Sequence, residues 1–360
     1  MDFLSRKNSL NPIEIIMEFL RMFLILRTIK PKIVHSHTLK ANLIVTICCS
    51  LLGLPCVLSF AGLGRLINTK KNFFLYSILR FIYFFGNIER VGFFSFAFNN
   101  KRTQYIFQNA KDKKVFDKVC KPNPNQTSLI WGSGVPSIFL KKINKNKIKI
   151  APRNIEINKK IKGCIYCGRL LKSKGINLFV NLARIDSSRK YYVFGGIDES
   201  SSDSLTNQDI LNYKSIKNLE FRGVVKNPIL KFFKKPYVLI VPSMYGEGMP
   251  RAIAEALILE IPVLCSIESM SEIFTNEIVN VVKNHDPQEY LKNINLLENK
   301  FKNKKYKERL NRGKEFVLNH LTEEIVILKT LKIYKKFENL SKDIFIHKVY
   351  NENSDNWISN

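Results

Sequence analysis

Apolar residues recur along this chain with two different periods, and the switches between them mark its elements. From Leu10 to Lys30 they recur near the 3.6-residue period of a helix. Asn11 can cap that helix, Pro12 suits its first turn and Glu14 stands three residues after the cap. The run Lys32 to His35, bounded by Pro31, predicts a short strand. Leu39 to Leu52 predicts a helix, Pro55 to Phe60 a second strand and Gly62-Leu63-Gly64 a turn. This strand–helix–strand rhythm predicts a parallel sheet covered by helices. Val91 to Phe98 and Ser128 to Ile130 predict two more short strands, and Trp131 to Pro136 an exposed turn.

The stretch 140–160 is rich in Lys, Asn and Ile and is predicted to link two domains. A second α/β unit follows. Its strands are predicted at Gly163 to Cys167, Tyr191 to Phe194, Leu219 to Arg222, Tyr237 to Pro242 and Ile261 to Cys265. Helices are predicted at Gly175 to Arg184, Pro228 to Phe233 and Pro250 to Leu259, which together make a doubly wound domain. Lysine-rich helices after Pro287 are expected to close the structure and cross back to the first domain. The division expected is an N-terminal domain over 1–140, a C-terminal domain over 141–330, and a C-terminal helix and tail over 331–360.

Composition changes this picture in one respect. At 360 residues, 45% of them hydrophobic, the chain can build two ordinary cores. Its 58 Lys+Arg against 30 Asp+Glu give a formal charge of +28, which points to a polyanionic partner. Nucleic acid is disfavoured, because there is no Cys/His finger spacing, no RNP-like strand and no basic region followed by heptads. An anionic membrane surface or phosphates fit better. Phe73 to Phe85, set around Arg80 and preceded by Lys70 and Lys71, fits an amphipathic membrane-surface helix and a buried core helix equally well. The longest apolar run, Asn42 to Phe60, is broken by Gly53-Leu54-Pro55 and predicts no transmembrane span. The polar opening after Met1 is unlike a signal peptide. Seven cysteines lack regular spacing, and Cys164 and Cys167 fall in an apolar strand, where thiols act as small hydrophobes. A reducing cytosol fits that usage.

Two segments carry candidate chemistry. In Val241 to Glu255 an apolar strand runs into a small-residue loop and then a helix, with Pro250 in its first turn. Such a loop lies at the carboxyl end of a strand, where open α/β sheets bind ligands. Backbone amides of Gly248 and Met249 near the helix start suit phosphate or sugar oxygens. Glu247 in the loop and Glu255 on the helix can line one pocket and accept hydrogen bonds from vicinal hydroxyls. The second segment is Gly168-Arg169 through Lys174-Gly175, again after a strand and before a helix. Arg169, as a fork, and Lys174, as a point charge, can converge there on a diphosphate.

These residues resemble the pattern of the family-4 glycosyltransferases: a Gly-Arg loop closed by Lys-Gly, and two glutamates with seven residues between them, flanked by glycine and proline. The resemblance covers the chain from about Asn11 to Phe274. It implies an α/β fold of the GT-B kind, with two facing Rossmann-like domains and parallel sheets. It assigns Arg169 and Lys174 to the donor pyrophosphate, Glu247 to the hexose hydroxyls as the catalytic carboxylate, and Glu255 to the ribose. Gly168, Gly248, Met249 and Pro250 complete the donor side. The donor implied is a nucleotide sugar, with UDP favoured; no cofactor or metal is implied, and no DxD-like acidic pair stands in a suitable loop. The first half is similar to the subgroup that builds lipid-linked surface glycans such as O-antigen on undecaprenyl diphosphate. There Val34 to Lys40 and Gly62-Leu63-Gly64 match, which puts His37, Lys40, Gly62 and Gly64 on the acceptor side. The place implied is the cytoplasmic face of the inner membrane, peripherally bound.

The sequence departs from the family in three places. Relatives begin with a strand and a glycine loop, so on the order of 60–70 residues, two βα units, are expected to be absent from the N-terminal domain. A late start, a degraded remnant or a second chain that completes the domain would each account for that. Phe60-Ala61 stand where many relatives carry a histidine. Glu260 stands at a helix end where glycine is common, with only a local cost expected. A sugar-nucleotide epimerase on the same fold, or an inactive basic membrane-binding protein, are the alternatives to a transferase.

Overall fold

The computed structural model describes residues 12–63, 72–90, 96–98, 102–145, 160–232, 235–269, 273–274, 277–300 and 303–340. The first domain opens with helix α1 (Pro12–Ile29), strand β1 (Val34–His37), helix α2 (Leu39–Leu52) and strand β2 (Cys56–Phe60). Then come helix α3 (Asn72–Asn87), a hairpin of β3 (Ile88–Arg90) and β4 (Phe96–Phe98), strand β5 (Thr103–Phe107), helix α4 (Ala110–Cys120) and strand β6 (Thr127–Leu129); helix α5 (Ser137–Lys145) comes next and buries Phe139 and Ile143 in the core of the second domain. Strands β1, β2, β5 and β6 lie in that order as a four-stranded parallel sheet.

β1 begins two residues later than its apolar pattern predicts, because Val34 is the residue that pairs with Cys56 at the start of β2. Ser36 and His37 therefore belong to the strand, and the turn into α2 is made by Thr38 at φ 78°. Part of the strand predicted over 91–98 falls outside the described residues. Its last three residues, Phe96–Phe98, pair antiparallel with β3 rather than joining the parallel sheet. Trp131 to Pro136 is not an exposed turn but the crossing between domains. Val135 donates its amide to Leu321 O (2.7 Å) and accepts from the amide of Glu323 (3.0 Å). Gly132 and Gly134 are needed there: a β-carbon would stand 2.7 Å from Met249 Cε at the first and 2.6 Å from the Glu323 amide at the second.

The second domain has a six-stranded parallel sheet in the order β12-β11-β10-β7-β8-β9. Its strands are β7 (Gly163–Cys167), β8 (Lys190–Phe194), β9 (Leu219–Phe221), β10 (Tyr237–Val241), β11 (Val263–Ser266) and β12 (Asn280–Val282). Helices α6 (Ile176–Ile185), α7 (Asn207–Tyr213), α8 (Arg251–Ile258), α9 (Pro287–Lys300) and α10 (Lys304–His320) accompany them. Pro228 to Phe232 forms a 3-10 turn instead of an α-helix. Cys164 and Cys167 lie within β7, and burial pushes both thiols up to about 12. Glu260 adopts the left-handed backbone (φ 54°) that favours glycine, and its carboxylate meets Lys314 at 3.1 Å.

Helix α11 (Glu323–Tyr334) crosses back and packs on the first domain. Ile333 and Phe337 are buried with Val57, Ile106 and Ile130 on one face of its sheet, while α1 to α4 cover the other. His35 bonds Tyr334 Oη (2.5 Å) through Nδ1 and Ser59 Oγ (2.7 Å) through Nε2. No helix among the described residues is long and apolar enough to cross a membrane.

Candidate active site

The carboxyl ends of the two parallel sheets face each other, and the loops that leave those ends build the site. After β2 come Ala61 and Gly62, and after β5 comes Gln108. Opposite them stand Gly168 and Arg169 after β7, Gly195 after β8, and Glu247 and Gly248 after β10. A β-carbon on Gly248 would stand 3.1 Å from Ala61 O and 3.2 Å from Gln108 Oε1, so the domains meet at that glycine. Gly195 is equally constrained, since its β-carbon would overlap Gly168 O at 1.8 Å.

The loop after β7 is held by its own backbone. Gly175 sits at φ 76° with its α-carbon against Pro242 O, and Tyr166 donates its hydroxyl to Arg169 O at 2.8 Å. Asp203 accepts from the Ser173 amide and hydroxyl, which pins the middle of the loop. The two cations leave from either end of it. Arg169 Nη1 meets Asp198 Oδ2 at 2.6 Å, and Lys174 Nζ meets Glu247 Oε2 at 3.3 Å.

Two adjoining cavities result. The larger, about 580 Å³, is lined by Gly168, Lys174, Glu247, Met249, Pro250, Arg251 and Glu255. The smaller, about 270 Å³, is lined by Gly62, Arg169, Lys174, Glu247 and Gly248. Lys174 and Glu247 border both, so the cation pair and the carboxylate pair share one continuous space. Glu255 is 3% exposed. Burial pushes its carboxyl above the ordinary range, and Arg251, 3.1 Å away, pulls it back. Pro250 caps α8 rather than standing inside it, so the Gly248 and Met249 amides lie just ahead of the helix. The Met249 side chain itself is buried in the core beneath the site.

The acceptor-side candidates separate. Gly62 lines the smaller cavity; Gly64 lies outside the described residues. His37 packs against His35 with ring centroids 4.3 Å apart, and Lys40 is ion-paired with Glu18 at 2.8 Å; neither lines the two cavities described above. Three residues that sequence reasoning passed over do belong here. Arg251 stands four positions before Glu255, the spacing of a helical ion pair, and that signal was readable. Asp198 follows the glycines that end β8, which only the strand-end rule marks. Gln108 follows β5, a strand whose Thr-Gln start hides its pattern.

Residues 147–315 match the family described as Glycosyl transferases group 1. That segment is thus similar to a group 1 glycosyltransferase domain. The chain is 27% identical over 252 residues to the capsular polysaccharide biosynthesis glycosyltransferase CapM of Staphylococcus aureus, covering 68% of this chain and 61% of that protein. It is 26% identical over 255 residues to the UDP-Gal:alpha-D-GlcNAc-diphosphoundecaprenol alpha-1,3-galactosyltransferase of Escherichia coli, covering 68% of this chain and 60% of that one. The chain thus spans less than two thirds of the length of either relative. Its fold is that of HepE of Anabaena, solved in complex with UDP, at a TM-score of 0.64 and 12% identity over 89% of this chain and 82% of that one. Facing Rossmann-like domains with parallel sheets are the GT-B fold.

Proposed function

We propose that this chain is a retaining glycosyltransferase. It moves a hexose or N-acetylhexosamine from a nucleoside-diphosphate sugar, UDP favoured, to a glycan carried on undecaprenyl diphosphate. That transfer serves bacterial surface polysaccharide assembly, of the O-antigen kind, at the cytoplasmic face of the inner membrane. One observation carries the reading: Lys174 and Glu247 border both of two adjoining cavities, with Arg169 on the smaller and Glu255 on the larger, at the facing ends of two parallel sheets.

The residues divide the work by chemistry. Arg169 and Lys174 hold the diphosphate and offset the charge that grows on it as the C1–O bond breaks, so no metal ion is called for. Glu255 accepts from the ribose hydroxyls, and Glu247 from those of the transferred sugar, where its charge favours an oxocarbenium-like C1. The new bond forms from the acceptor hydroxyl to C1, and the hydroxyl proton leaves on the diphosphate oxygen. CapM, the Escherichia coli galactosyltransferase and the UDP complex of HepE support polysaccharide assembly, the lipid-linked acceptor and the nucleotide, respectively.

The test is a thermal-shift panel of UDP, GDP and their sugar conjugates on the chain and on Glu255→Ala. A ligand that binds only the folded state raises its melting temperature by mass action. Stabilisation by one nucleotide, abolished by Glu255→Ala, supports the donor site. A folded chain that no member of the panel stabilises rules the reading out.

A further inference from the structure

The smaller cavity is a seam between the domains, and the two sides contribute to it unequally. From the second domain come the side chains of Arg169, Lys174, Tyr245 and Glu247. From the first, among the described residues, come Ala61 and Gly62, which offer backbone and a methyl group. A polar side chain nevertheless stands at that lip. β2 and β5 run parallel with Phe60 paired to Phe107, and the backbone N–H of Gln108 donates to Phe60 O at 3.2 Å. The next residue on each strand, Ala61 and Gln108, therefore leave the sheet side by side. Gln108 reaches the seam: a β-carbon on Gly248 would stand 3.2 Å from Gln108 Oε1 and 3.3 Å from Gln108 Cβ.

The lip is braced from behind. Asn109 accepts from the Asp112 amide at 2.7 Å and so caps α4. The Asp112 carboxylate, buried, accepts from Asn109 Nδ2 at 2.8 Å and from the Leu63 amide at 2.7 Å. One carboxylate thus fastens the loop after β2 to the loop after β5. Gln108 itself is half-buried, and no hydrogen bond among the described residues engages its side-chain amide. Asn109 and Asp112 are committed to holding the lip, whereas the Gln108 side chain is not. A polar group held in place by its neighbours and left uncommitted at a cleft is suited to a ligand.

Chemistry selects that ligand. On the nucleotide-sugar reading proposed above, on which this inference rests, the diphosphate lies on Arg169 and Lys174. The sugar beyond it then lies in the smaller cavity, between Glu247 and the first domain. An ionised Glu247 can only accept hydrogen bonds. An amide both donates and accepts, so it serves a hydroxyl in either sense and adds no charge beside the diphosphate. We propose that Gln108 is a specificity-determining residue that binds a hydroxyl of the transferred sugar from the first-domain side, opposite Glu247. A site built to bond a hydroxyl disfavours the epimer that points it elsewhere, because the amide is then left unpaired.

Calorimetric titration of the full chain with UDP, UDP-glucose, UDP-galactose, UDP-N-acetylglucosamine and UDP-N-acetylgalactosamine tests this. The same titrations are made on Gln108→Ala and on Gln108→Leu, which keeps most of the side-chain volume. The wild-type chain is expected to bind one conjugate tightest. Both variants should bind UDP as the wild type does, bind that conjugate about five- to tenfold more weakly, and show a smaller margin between it and its epimer. Their melting temperatures without nucleotide should be unchanged, because the amide has no partner to lose. The proposal is overturned if the variants keep the wild-type sugar preference. It is also overturned if UDP weakens as much as the conjugate, since Gln108 would then act on the fold of the lip and not on the sugar. A wild-type chain that binds UDP but holds every conjugate no differently overturns it too, and leaves the nucleotide site standing. A folded chain that binds none of the five removes the donor reading, and this inference with it.

Discussion

Arg251 Nε lies 3.1 Å from Glu255 Oε1, one helical turn further along α8, at the floor of the larger cavity. The two are electrostatically coupled, because Glu255 is buried and Arg251 is the cation that holds its carboxyl down against that burial. Arg251→Met should let the Glu255 pKa rise. A protonated Glu255 accepts less well from ribose hydroxyls, so nucleotide affinity should fall with decreasing pH, and that fall should begin at a higher pH in the variant. At neutral pH the loss should be about tenfold, or about 1.4 kcal/mol. Calorimetric UDP titrations across acid to neutral pH measure it; superimposable pH profiles would refute the coupling.

Glu255 also makes a stability prediction of the opposite sense. Its folded-state pKa is raised, so the fold binds this proton more tightly than the unfolded chain does. Stability from the group is therefore present at acid pH and lost as pH rises through the folded pKa. Glu255→Gln should then stabilise the nucleotide-free chain at neutral pH by roughly 0.5–2 kcal/mol, while removing nucleotide binding. Urea unfolding of both chains at neutral pH decides this, and a destabilised glutamine variant would contradict it.

Gly175→Ala tests how the cation loop is built. The φ of 76° costs an alanine about 1–3 kcal/mol, and the new β-carbon would stand 2.1 Å from Pro242 O. That carbonyl belongs to the first residue after β10, so the clash pushes the Lys174 loop away from the Glu247 loop. The expected outcome is a lower urea midpoint together with loss of the UDP-induced thermal shift. A variant that keeps both would mean the two loops are not coupled through this contact.

The loops of the candidate site on the second domain are legible in the sequence because each follows an uninterrupted apolar strand and bears glycine. β7 and β10 read directly as strands, and Arg169, Lys174, Glu247 and Glu255 follow from the segments that leave them. β5 was missed although it lies between β2 and β6, since Thr103 and Gln104 are polar and are buried by partners far away in sequence. Thr103 bonds Gly86 O, and Gln104 accepts from Lys336. α5 was absorbed into the predicted linker because its lysines mask the buried Phe139 and Ile143. The domain crossing at Trp131 to Pro136 looked like an exposed turn for a related reason: its glycines serve close approach to Met249 and Glu323, which local sequence cannot distinguish from turn chemistry. The Asp198 and Arg251 pairings depend on tertiary geometry more than on any motif.

His35 supplies a pH test of the tie between the domains. Burial, with His37 beside it, lowers its pKa from 6.5 to about 4, and the neutral ring bonds Ser59 on one side and Tyr334 of the returning helix on the other. A depressed histidine pKa means that the unfolded chain takes up this proton first. Its contribution is therefore complete above pH 6.5 and is lost as pH falls from 6.5 towards 4. At 1.36 kcal/mol per pH unit the loss is at most about 3 kcal/mol, and less where solvent reaches the ring. His35→Gln should be less stable at neutral pH, because it loses the bond to Tyr334, and its stability should vary less with pH across that window. Urea unfolding at a series of pH values tests both statements. Parallel curves for the two chains would mean that His35 does not titrate with unfolding, and that the returning segment is held by its other contacts, among them Ile333, Phe337 and Lys336.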